Sequence, residues 1–306
     1  MERTFLDDST VHYQWDRDLP PRLTIDPGET VTLDCRDAGD GYYGPSRSLA
    51  EMSKPRQSKG HPLTGPVHVR GAEPGDSLAI EILDFAHKGW GWTRCGPTGG
   101  LLPGEFAFTI KIWELQDGFA EFKPGIRIPL EPFCGIMGVA LGEPGGHTTM
   151  PPRSSGGNMD IRHLVAGSTL FLPVYAPGAL FSAGDCHAAQ GDGEVCLTGI
   201  EAPMRVTLRM GLRKGYAIPG PEFLTPSPLT RTDTHGCFAT TGIGPDLLEG
   251  CRAAIRNMVQ HLVRERGLTR EEAYLLCSVA VDLKISEVVD APNWIVSAYL
   301  PLSIFV

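Results

Sequence analysis

The sequence predicts a mainly β protein, α+β overall, built from hairpins of the β-sandwich or barrel type and completed by a C-terminal pair of helices. Glycine and proline are in excess, with 37 and 26 of 306 residues, which implies many tight turns and short strands. Alternating polar and apolar runs flank several of these turns, as they do in half-buried strands. Helical periodicity begins only in the last third of the chain. We therefore expect a single unit over residues 1–306, with a β-rich part, 1–215, and a helix-containing part, 216–306, packed on it.

Two strand pairs in the first third of the chain are separated by similar turns. Residues 23–35 contain two alternating runs around Pro27-Gly28, and residues 66–84 contain two more around Pro74-Gly75. In both, Pro-Gly is followed by an acidic residue and then by Ser or Thr. This similarity indicates either an internal structural repeat or only a common turn sequence. The first pair has the signature of a hairpin.

The β pattern continues through the middle of the chain. The polar stretch 44–62 lacks hydrophobic periodicity and predicts a long loop, which is a candidate lid. Residues 106–115 and 119–130 predict a third hairpin. A buried strand then enters the glycine-rich turn 141–147, whose glycines allow a ligand to approach the backbone closely. Glu143 in this turn is a candidate general base.

The centre of the chain carries the candidate chemistry. Two pairs of polar residues are each separated by two positions, namely Asn158 with Asp160 and Asp185 with His187. Residues at i and i+2 of an extended strand project from the same face, so each pair should point at one place. The segment 168–183 between the pairs predicts a hairpin around a Pro-Gly turn, which brings all four side chains together. Because Asp oxygen and His nitrogen are ordinary ligands of zinc and similar ions, this arrangement predicts a metal site.

The last third of the chain predicts two helices and a terminal strand. Pro245 occupies the first helical position and Gly267 the position just after the helix end. Apolar residues between them recur at helical spacing and predict a buried stripe. The stripe consists of Leu247, Leu248, Cys251, Ile255, Met258, Val259 and Leu262. The capping box Thr269-Arg-Glu-Glu272 begins a second helix that extends to about Val281, and residues 294–300 predict a strand.

Charge and composition argue against several classes of partner. The net charge is −9 and no run of clustered Lys and Arg is present, so nucleic acid and anionic membranes are poor partners. The apolar runs are shorter than the ~20 residues that span a bilayer. The N-terminus lacks the form of a signal peptide, and we predict a cytoplasmic protein. The eight cysteines include no CxxC pair, and we expect most of them to be small core residues.

Six motifs are distributed over nearly the whole chain: HPLTGPV (61–67), GAEPGDSL (71–78), PFCGIMGVALGEPGGH (132–147), PPRSSGGNMDIRHL (151–164), LPVYAPGALFSAGDCHAAQGDGEV (172–195) and DLKISEVVDAPNW (282–294). Together they resemble the acetamidase/formamidase family, with GGNMD and GDCHAAQGDGE as the most specific blocks. The resemblance implies metal-dependent hydrolysis of short aliphatic amides, such as formamide or acetamide, to a carboxylate and ammonia. It also implies a mostly β fold with appended helices, and a homo-oligomer that is a dimer or is built from dimers.

The resemblance also implies roles for individual residues. Asp160, Asp185 and His187 match the presumed metal ligands, and Asn158 and Glu143 are the catalytic candidates. Further candidates near the site are His12, Asp37, His61, Gln190 and Glu201. The implied cofactor is a divalent metal, zinc, with a second ion such as calcium as an additional candidate.

Two departures from the family pattern bear on function. The segment after Cys35, RDAGDGYYGPSRS, differs from the shorter pattern that is typical of amidases, so specificity has changed if this loop shapes the pocket. Cys186 lies inside the strongest motif and raises the alternative of a thiol nucleophile. On an extended strand, however, it should point away from the face that carries Asp185 and His187.

Two alternatives from other functional classes stay open at this stage. One is a metal-binding or ligand-binding β module without catalytic turnover. The other is a metal-dependent oxygenase on a cupin-like barrel, which typically needs two histidines and one carboxylate. The central motif supplies only His187, so a second histidine would have to be His12, His61 or His147.

Overall fold

The computed structural model describes residues 4–54, 59–226, 235–287 and 292–306. Strands predominate in these ranges, which confirms the predicted mainly β, α+β fold class. The strands are β1 (Thr4–Leu6), β2 (Gln14–Trp15), β3 (Leu23–Ile25), β4 (Thr30–Cys35), β5 (Leu63–Val69), β6 (Ser77–His87), β7 (Trp90–Cys95), β8 (Thr109–Glu114), β9 (Phe119–Lys123), β10 (Ile126–Pro129), β11 (Phe133–Gly138), β12 (His147–Thr148), β13 (Pro152–Arg153), β14 (Gly156–Asn158), β15 (Thr169–Pro173), β16 (Phe181–His187), β17 (Met204–Arg213), β18 (Glu222–Leu224), β19 (Cys237–Gly244), β20 (Asp282–Glu287) and β21 (Trp294–Pro301). The helices are α1 (Leu49–Met52), α2 (Leu247–Arg266), α3 (Arg270–Ala280) and a 3₁₀ turn at Leu302–Ile304.

Two six-stranded sheets form the body of the molecule. The first has the strand order β1-β4-β17-β6-β15-β18 and the second β13-β14-β11-β16-β5-β3. Apolar side chains of both sheets share one core, to which Leu33 and Ile80 contribute from the first sheet and Met137 and Phe181 from the second. Burying both inner faces against each other removes their apolar surface from water, which is how a β-sandwich is stabilised.

The two Pro-Gly turns connect one sheet to the other. β3 and β5 lie side by side in the second sheet and pair in parallel, whereas β4 and β6 lie in the first sheet on either side of β17. The hairpin predicted for residues 23–35 is therefore wrong, because its two strands belong to different sheets. A Pro-Gly turn fixes the local reversal of the chain but not the strand with which each arm pairs.

The other two predicted hairpins are wrong for the same reason. The only backbone bridge between residues 106–115 and 119–130 joins Leu115 and Ala120, while β8 pairs with β7, and β9 with β10. Of the two arms in residues 168–183, β15 pairs with β6 and β18 in the first sheet, and β16 pairs with β11 and β5 in the second. Ala179 and Leu180 between them have φ of 60° and 56°.

The predicted helices and terminal strand are confirmed. The Asp246 side chain caps the start of α2 and Gly267 ends this helix with a φ of 63°. The predicted place of Pro245 at the first helical position is wrong, because Pro245 precedes the capping residue. The side chains of Thr269 and Glu272 form both hydrogen bonds of the capping box at the start of α3. α2 packs on β19 and β21. Its buried stripe begins only at Gly250, since Leu247 and Leu248 are exposed.

The stretch 44–62 contains the single-turn helix α1, which sequence reasoning missed. Ser48 and Glu51 form a capping box, and the Met52 side chain is buried. None of the eight cysteines forms a disulfide in the part of the chain that the structure describes. None of the helices in the described part of the chain has the length and apolarity that crossing a membrane requires.

Candidate active site

Three adjacent strands carry the candidate residues to one place. β11 pairs with β14 on one side and with β16 on the other, so residues at the ends of both neighbours meet across it. Gly135 of β11 lies at the meeting point. A Cβ atom at this position would lie 2.5 Å from Asp160 Oδ1 and 2.8 Å from the carbonyl oxygen of Asp185. Both distances are far below an ordinary contact, so only glycine leaves room for the two aspartates.

Asp160 and Asp185 both have a left-handed backbone. Their φ angles are 48° and 54°, values that few residues other than glycine adopt. The amides of Met159 and Asp160 both donate to the carbonyl oxygen of Gly135, at 3.0 and 3.2 Å, so the chain curls as it leaves β14. The expectation of a regular extended backbone at both aspartates is therefore wrong. Their side chains converge because the backbone turns, not because residues i and i+2 alternate.

A histidine and four carboxyl groups are gathered at this point. Nε2 of His187 lies 3.1 Å from Glu201 Oε2, 3.4 Å from Asp185 Oδ1 and 4.0 Å from Asp160 Oδ1. Glu194 Oε1 lies 4.0 Å from Nδ1 of the same ring. We refer to Asp160, Asp185, His187, Glu194 and Glu201 as the acid–histidine cluster. His187, Asp185 and Glu201 are buried, whereas Asp160 and Glu194 are partly accessible.

Gln190 sets the tautomer of His187. Its Nε2 donates to the carbonyl oxygen of Asp160 at 2.9 Å, so its Oε1 is the atom that lies 2.7 Å from His187 Nδ1. Nδ1 must then carry the proton, and the lone pair of the neutral ring is on Nε2, the atom that faces the carboxylates. Metal-binding histidines typically donate their other ring N–H to an acceptor in this way.

The cluster contains buried acceptor atoms that lack donors. Asp160 Oδ1, Asp185 Oδ1 and Glu201 Oε2 have no hydrogen-bond partner among the described residues. An unsatisfied buried acceptor is costly, and a bound cation would satisfy all three. Ligand atoms of Asp160, Asp185 and His187 lie within 4.8 Å of one another. Carboxylate oxygen and imidazole nitrogen are a donor set that divalent ions such as zinc accept, so these residues fit a metal.

The pKa values of the cluster describe how strongly its residues hold protons when no metal is bound. Burial, together with the neighbouring carboxylates, raises the pKa of Asp160 to about 7 and that of Glu201 to about 8, and it raises the pKa of Glu194 well above its usual range. Burial alone would lower the pKa of His187, but Glu201 and Asp185 raise it well above its ordinary value. The metal-free cluster therefore retains protons, and a metal must compete with them for the same atoms.

Two further predicted residues are brought to the cluster. His61 Nε2 lies 3.9 Å from Asp185 Oδ2, which supplies the second histidine that the central motif lacks. Asn158 donates from Nδ2 to the carbonyl oxygen of Met150 at 3.0 Å, while its Oδ1 is buried without a partner among the described residues. Both side chains line the cavity described below.

Other candidates lie elsewhere. Glu143 is exposed in its turn and lies outside the cluster, so its prediction as general base is not supported by its position. His12 hydrogen bonds to Ser182 Oγ and to the carbonyl oxygen of Gln14, both at 2.8 Å. Asp37 is buried and accepts hydrogen bonds from Trp92 Nε1 and from two glycine amides, so it holds a loop in place. All three candidates rest on their neighbours in the sequence, and sequence neighbours do not determine how far a side chain lies from His187 in the folded protein.

Sequence reasoning misses two residues of the site, Glu194 and Gly135. Glu194 lies in the same block as His187 and Gln190, but a Glu in a glycine-rich turn is usually solvated. The signal that could have found it is its position in the specific GDCHAAQGDGE block. Gly135 is one of two glycines in β11, a strand that is buried along its whole length. No sequence signal distinguishes the steric requirement at Gly135 from an ordinary glycine.

Cys186 lies on the opposite side of β16 from the cluster. Its Sγ is 3.5 Å from Sγ of Cys134, inside the core. The hydrogen bond with Cys134 and burial raise the pKa of the Cys186 thiol well above its usual value. A buried thiol that resists ionisation is a poor nucleophile, which argues against the thiol mechanism.

A cavity of about 560 Å³ opens above the cluster, as bounded by the described residues. Asp160, Asp185, Glu194 and Glu201 form its base together with His61 and Asn158. Its walls are contributed by Ala38, Gly39, Tyr43, Met52, Ser53, Lys54, Trp92, Arg94, Gly96, Pro97, Thr98, Phe108, Met150, Leu197 and Thr198. The loop after Cys35 and the predicted lid both contribute to these walls.

Comparison with protein families and solved structures gives a consistent result. The sequence model described as the Acetamidase/Formamidase family matches residues 1–144 and 141–306. The chain is 28% identical to a formamidase of Methylophilus methylotrophus, over 97% of this chain and 90% of that protein. It is 27% identical to an acetamidase of Mycolicibacterium smegmatis, over 87% of this chain and 84% of that protein.

Solved structures share the fold. The gamma lactamase from Delftia acidovorans superposes with a TM-score of 0.89 at 30% identity, covering 96% of this chain and 89% of that chain. An acetamidase from Bacillus halodurans superposes with a TM-score of 0.69 at 30% identity, covering 97% of both chains.

Proposed function

The chain belongs to the acetamidase/formamidase family and is an amidase-type hydrolase, and we propose that it cleaves carboxamides to a carboxylate and ammonia with the help of a divalent metal. One observation carries the metal dependence. Nε2 of His187, the ring nitrogen that the hydrogen bond from Nδ1 to Gln190 leaves available to a ligand, faces three buried carboxylate oxygens that have no hydrogen-bond partner among the described residues. A cation would satisfy all three oxygens at once, whereas the two N–H donors of a primary amide could satisfy at most two of them.

We assign Asp160, Asp185 and His187 as the residues that would hold the ion. When bound, a divalent ion would lower the pKa of water and polarise a carbonyl oxygen. These effects address the two difficulties of amide hydrolysis, namely that water is a weak nucleophile and that the amide carbonyl is unreactive. The preferred ion is zinc, because it accepts this mixed oxygen and nitrogen donor set and has no redox chemistry.

Glu201 is the proton carrier in this proposal. The Gly199 amide donates to its Oε1 at 3.0 Å, which fixes the carboxyl group and leaves Oε2 directed at the cluster. Burial and the neighbouring carboxylate of Asp185 raise its pKa above the ordinary value in the metal-free cluster, so this carboxyl group can hold a proton as well as accept one. Oε2 takes a proton from the attacking water and delivers it to the amide nitrogen. The C–N bond then breaks, and ammonia leaves.

Asn158 orients the carboxamide. Its Nδ2 is held by the Met150 carbonyl oxygen, so the unpartnered Oδ1 can accept a hydrogen bond from the NH₂ group of the substrate. This contact favours primary amides, which have two N–H donors. A cyclic amide is the second candidate, because the gamma lactamase has the higher TM-score of the two structures compared above.

The test combines metal analysis with product assays. Purified protein is analysed for bound metal and assayed for ammonia release from formamide and acetamide and for opening of a γ-lactam. We expect ammonia release that a chelator abolishes and Zn²⁺ restores. Full activity in protein shown to be metal-free would overturn the metal dependence, and opening of the lactam alone would favour the cyclic substrate.

The two alternative classes are tested by the same experiment. A non-catalytic binding module would release no ammonia from any amide. An oxygenase would require a redox-active metal and would consume oxygen. Because His61 lies beside Asp185, the site has the two histidines that such an enzyme typically needs, so the number of histidines does not exclude it. Membership of a family of formamidases and acetamidases argues against both.

A further inference from the structure

The cavity above the acid–histidine cluster is much larger than formamide or acetamide requires. Its volume is about 560 Å³, as bounded by the described residues. A water molecule occupies about 30 Å³ in the liquid, and acetamide is only a few times larger. Cavities of this size typically enclose ligands of drug size. A short amide would leave most of the space to water.

Part of the cavity lining is apolar and exposed, although the charged side chains of Lys54 and Arg94 also line the cavity. Phe108, Met150 and Leu197, from three separate segments, all line it, and we call them the apolar mouth. Met150 is 50% exposed and Leu197 46% exposed, and Phe108 is partly exposed. Large apolar side chains that converge on one cavity and stay exposed mark a surface that an apolar group covers.

The backbone of Leu197 supports the same interpretation. Its φ is 78°, a conformation that is rare for a branched side chain. Strained backbone of this kind persists where surrounding structure enforces it, and it is concentrated at ligand-binding sites. Here the strain directs an apolar side chain to the cavity, next to Thr198 and close in sequence to Glu194 and Glu201.

Two aromatic side chains, Tyr43 and Trp92, line the cavity next to the acid–histidine cluster. The rings of Tyr43 and Trp92 pack with centroids 4.5 Å apart, and we call this pair the aromatic floor. Trp92 and Glu201 exchange two backbone hydrogen bonds of 2.9 Å each. The floor therefore has a fixed position relative to the proton carrier, as a substrate-positioning surface requires. Tyr43 belongs to the segment after Cys35 that departs from the amidase pattern.

We propose that the preferred substrates are primary amides whose acyl group carries an aromatic ring or a ring of similar size. The ring packs between the aromatic floor and the apolar mouth while the carboxamide reaches the acid–histidine cluster. This inference rests on the proposed amide hydrolysis and specifies its substrate class. An aromatic ring fits because it is flat and apolar and can pack against the apolar mouth, beside the edges of Tyr43 and Trp92, which are 9% and 3% exposed.

The test compares kcat/KM for acetamide, butyramide and phenylacetamide in the metal-loaded enzyme. We expect phenylacetamide to exceed acetamide by about tenfold or more, since even one buried methylene changes kcat/KM by about that factor. The ratio of the two values should fall by about fivefold or more in Leu197→Ser and in Met150→Ser, each of which removes part of the apolar surface. Two variants are used so that misfolding of one does not remove the test.

The control is Leu224→Ser on β18. Leu224 is 68% exposed and lies away from the cavity, so this change should leave the ratio unaltered. Hydrolysis of acetamide with no advantage for phenylacetamide would overturn the inference while leaving the proposed function intact. Absence of ammonia from every amide would instead overturn the proposed function. A change of oligomeric state in Leu197→Ser, with the ratio unchanged, would identify the apolar mouth as a subunit interface and also overturn the inference.

Discussion

Replacement of Gln190 tests the metal assignment without altering any proposed ligand. Gln190 is 6% exposed, and its Oε1 accepts the Nδ1–H of His187 at 2.7 Å. In Gln190→Met this acceptor is lost. Either Nδ1–H is then buried without a partner, or the ring proton moves to Nε2, from which a metal must displace it.

The two consequences have similar magnitudes. A buried donor left without a partner costs about 1–3 kcal/mol. Loss of the acceptor behind a metal-binding histidine typically lowers metal affinity or activity by about 10–100-fold, equivalent to about 1.4–2.7 kcal/mol. We therefore expect Gln190→Met to bind Zn²⁺ about 10–100-fold more weakly than the unaltered protein.

Competition with a chromophoric chelator measures the affinity, and thermal unfolding in excess Zn²⁺ checks that the fold is retained. Gln190→Glu is the matched variant. It keeps an acceptor for Nδ1–H but loses the donor to the Asp160 carbonyl oxygen, so it should bind Zn²⁺ at least as tightly as Gln190→Met and closer to the unaltered protein. If Gln190→Met binds Zn²⁺ with unchanged affinity, His187 is not a ligand through Nε2, and the metal assignment is refuted.

Three further predictions concern the cluster and its support. Asp185→Ala should lose bound metal and activity together, while the control Cys186→Ala, one residue away in the core, should keep most of both. Full metal occupancy in Asp185→Ala, measured by elemental analysis, would contradict the ligand assignment. Gly135→Ala should lower metal affinity by about tenfold or more, because its Cβ atom displaces both aspartates, and an unaltered affinity would show that the site tolerates the displacement. Glu201→Gln should lower kcat by about 10²–10⁴-fold with metal still bound. Glu143→Gln, in an exposed turn, should leave kcat unchanged. The reverse result would return the proton-transfer role to Glu143.

The two C-terminal helices were predictable from the sequence because their signals are local and extend over several turns, whereas the single turn of α1 was not. Each signal acts within a few turns of its own helix. Gly267 and the apolar spacing between residues 250 and 262 belong to α2, and the capping box at Thr269 belongs to α3. Strand pairing was not predictable because it is decided at a distance. The turn after β3 and the turn after β5 have the sequence of hairpin turns, but their arms pair with strands elsewhere in the chain.

The candidate site was predicted in part, and partly for an incorrect reason. Asp160, Asp185 and His187 do lie together, but the left-handed backbone at both aspartates, rather than strand alternation, directs them. Glu143 and Glu194 are both glutamates in glycine-rich turns, so local sequence treats them alike. The folded chain distinguishes them, because Glu194 Oε1 lies 4.0 Å from His187 Nδ1 whereas Glu143 is exposed in its turn.

The positions of the two parts of the site imply that chemistry and specificity can vary independently. The acid–histidine cluster is held by paired strands and by Gly135, an arrangement that tolerates little change. The apolar mouth and the aromatic floor come mostly from segments between strands, where substitutions and insertions are least costly. Trp92 links the two parts through its backbone hydrogen bonds with Glu201. Asp37 accepts hydrogen bonds from the Trp92 indole and from the amides of Gly39 and Gly41, and so fixes the loop that carries Tyr43. Under the proposed function, a change in the loop after β4 would therefore alter the acyl group that is accepted, while the acid–histidine cluster stays in place.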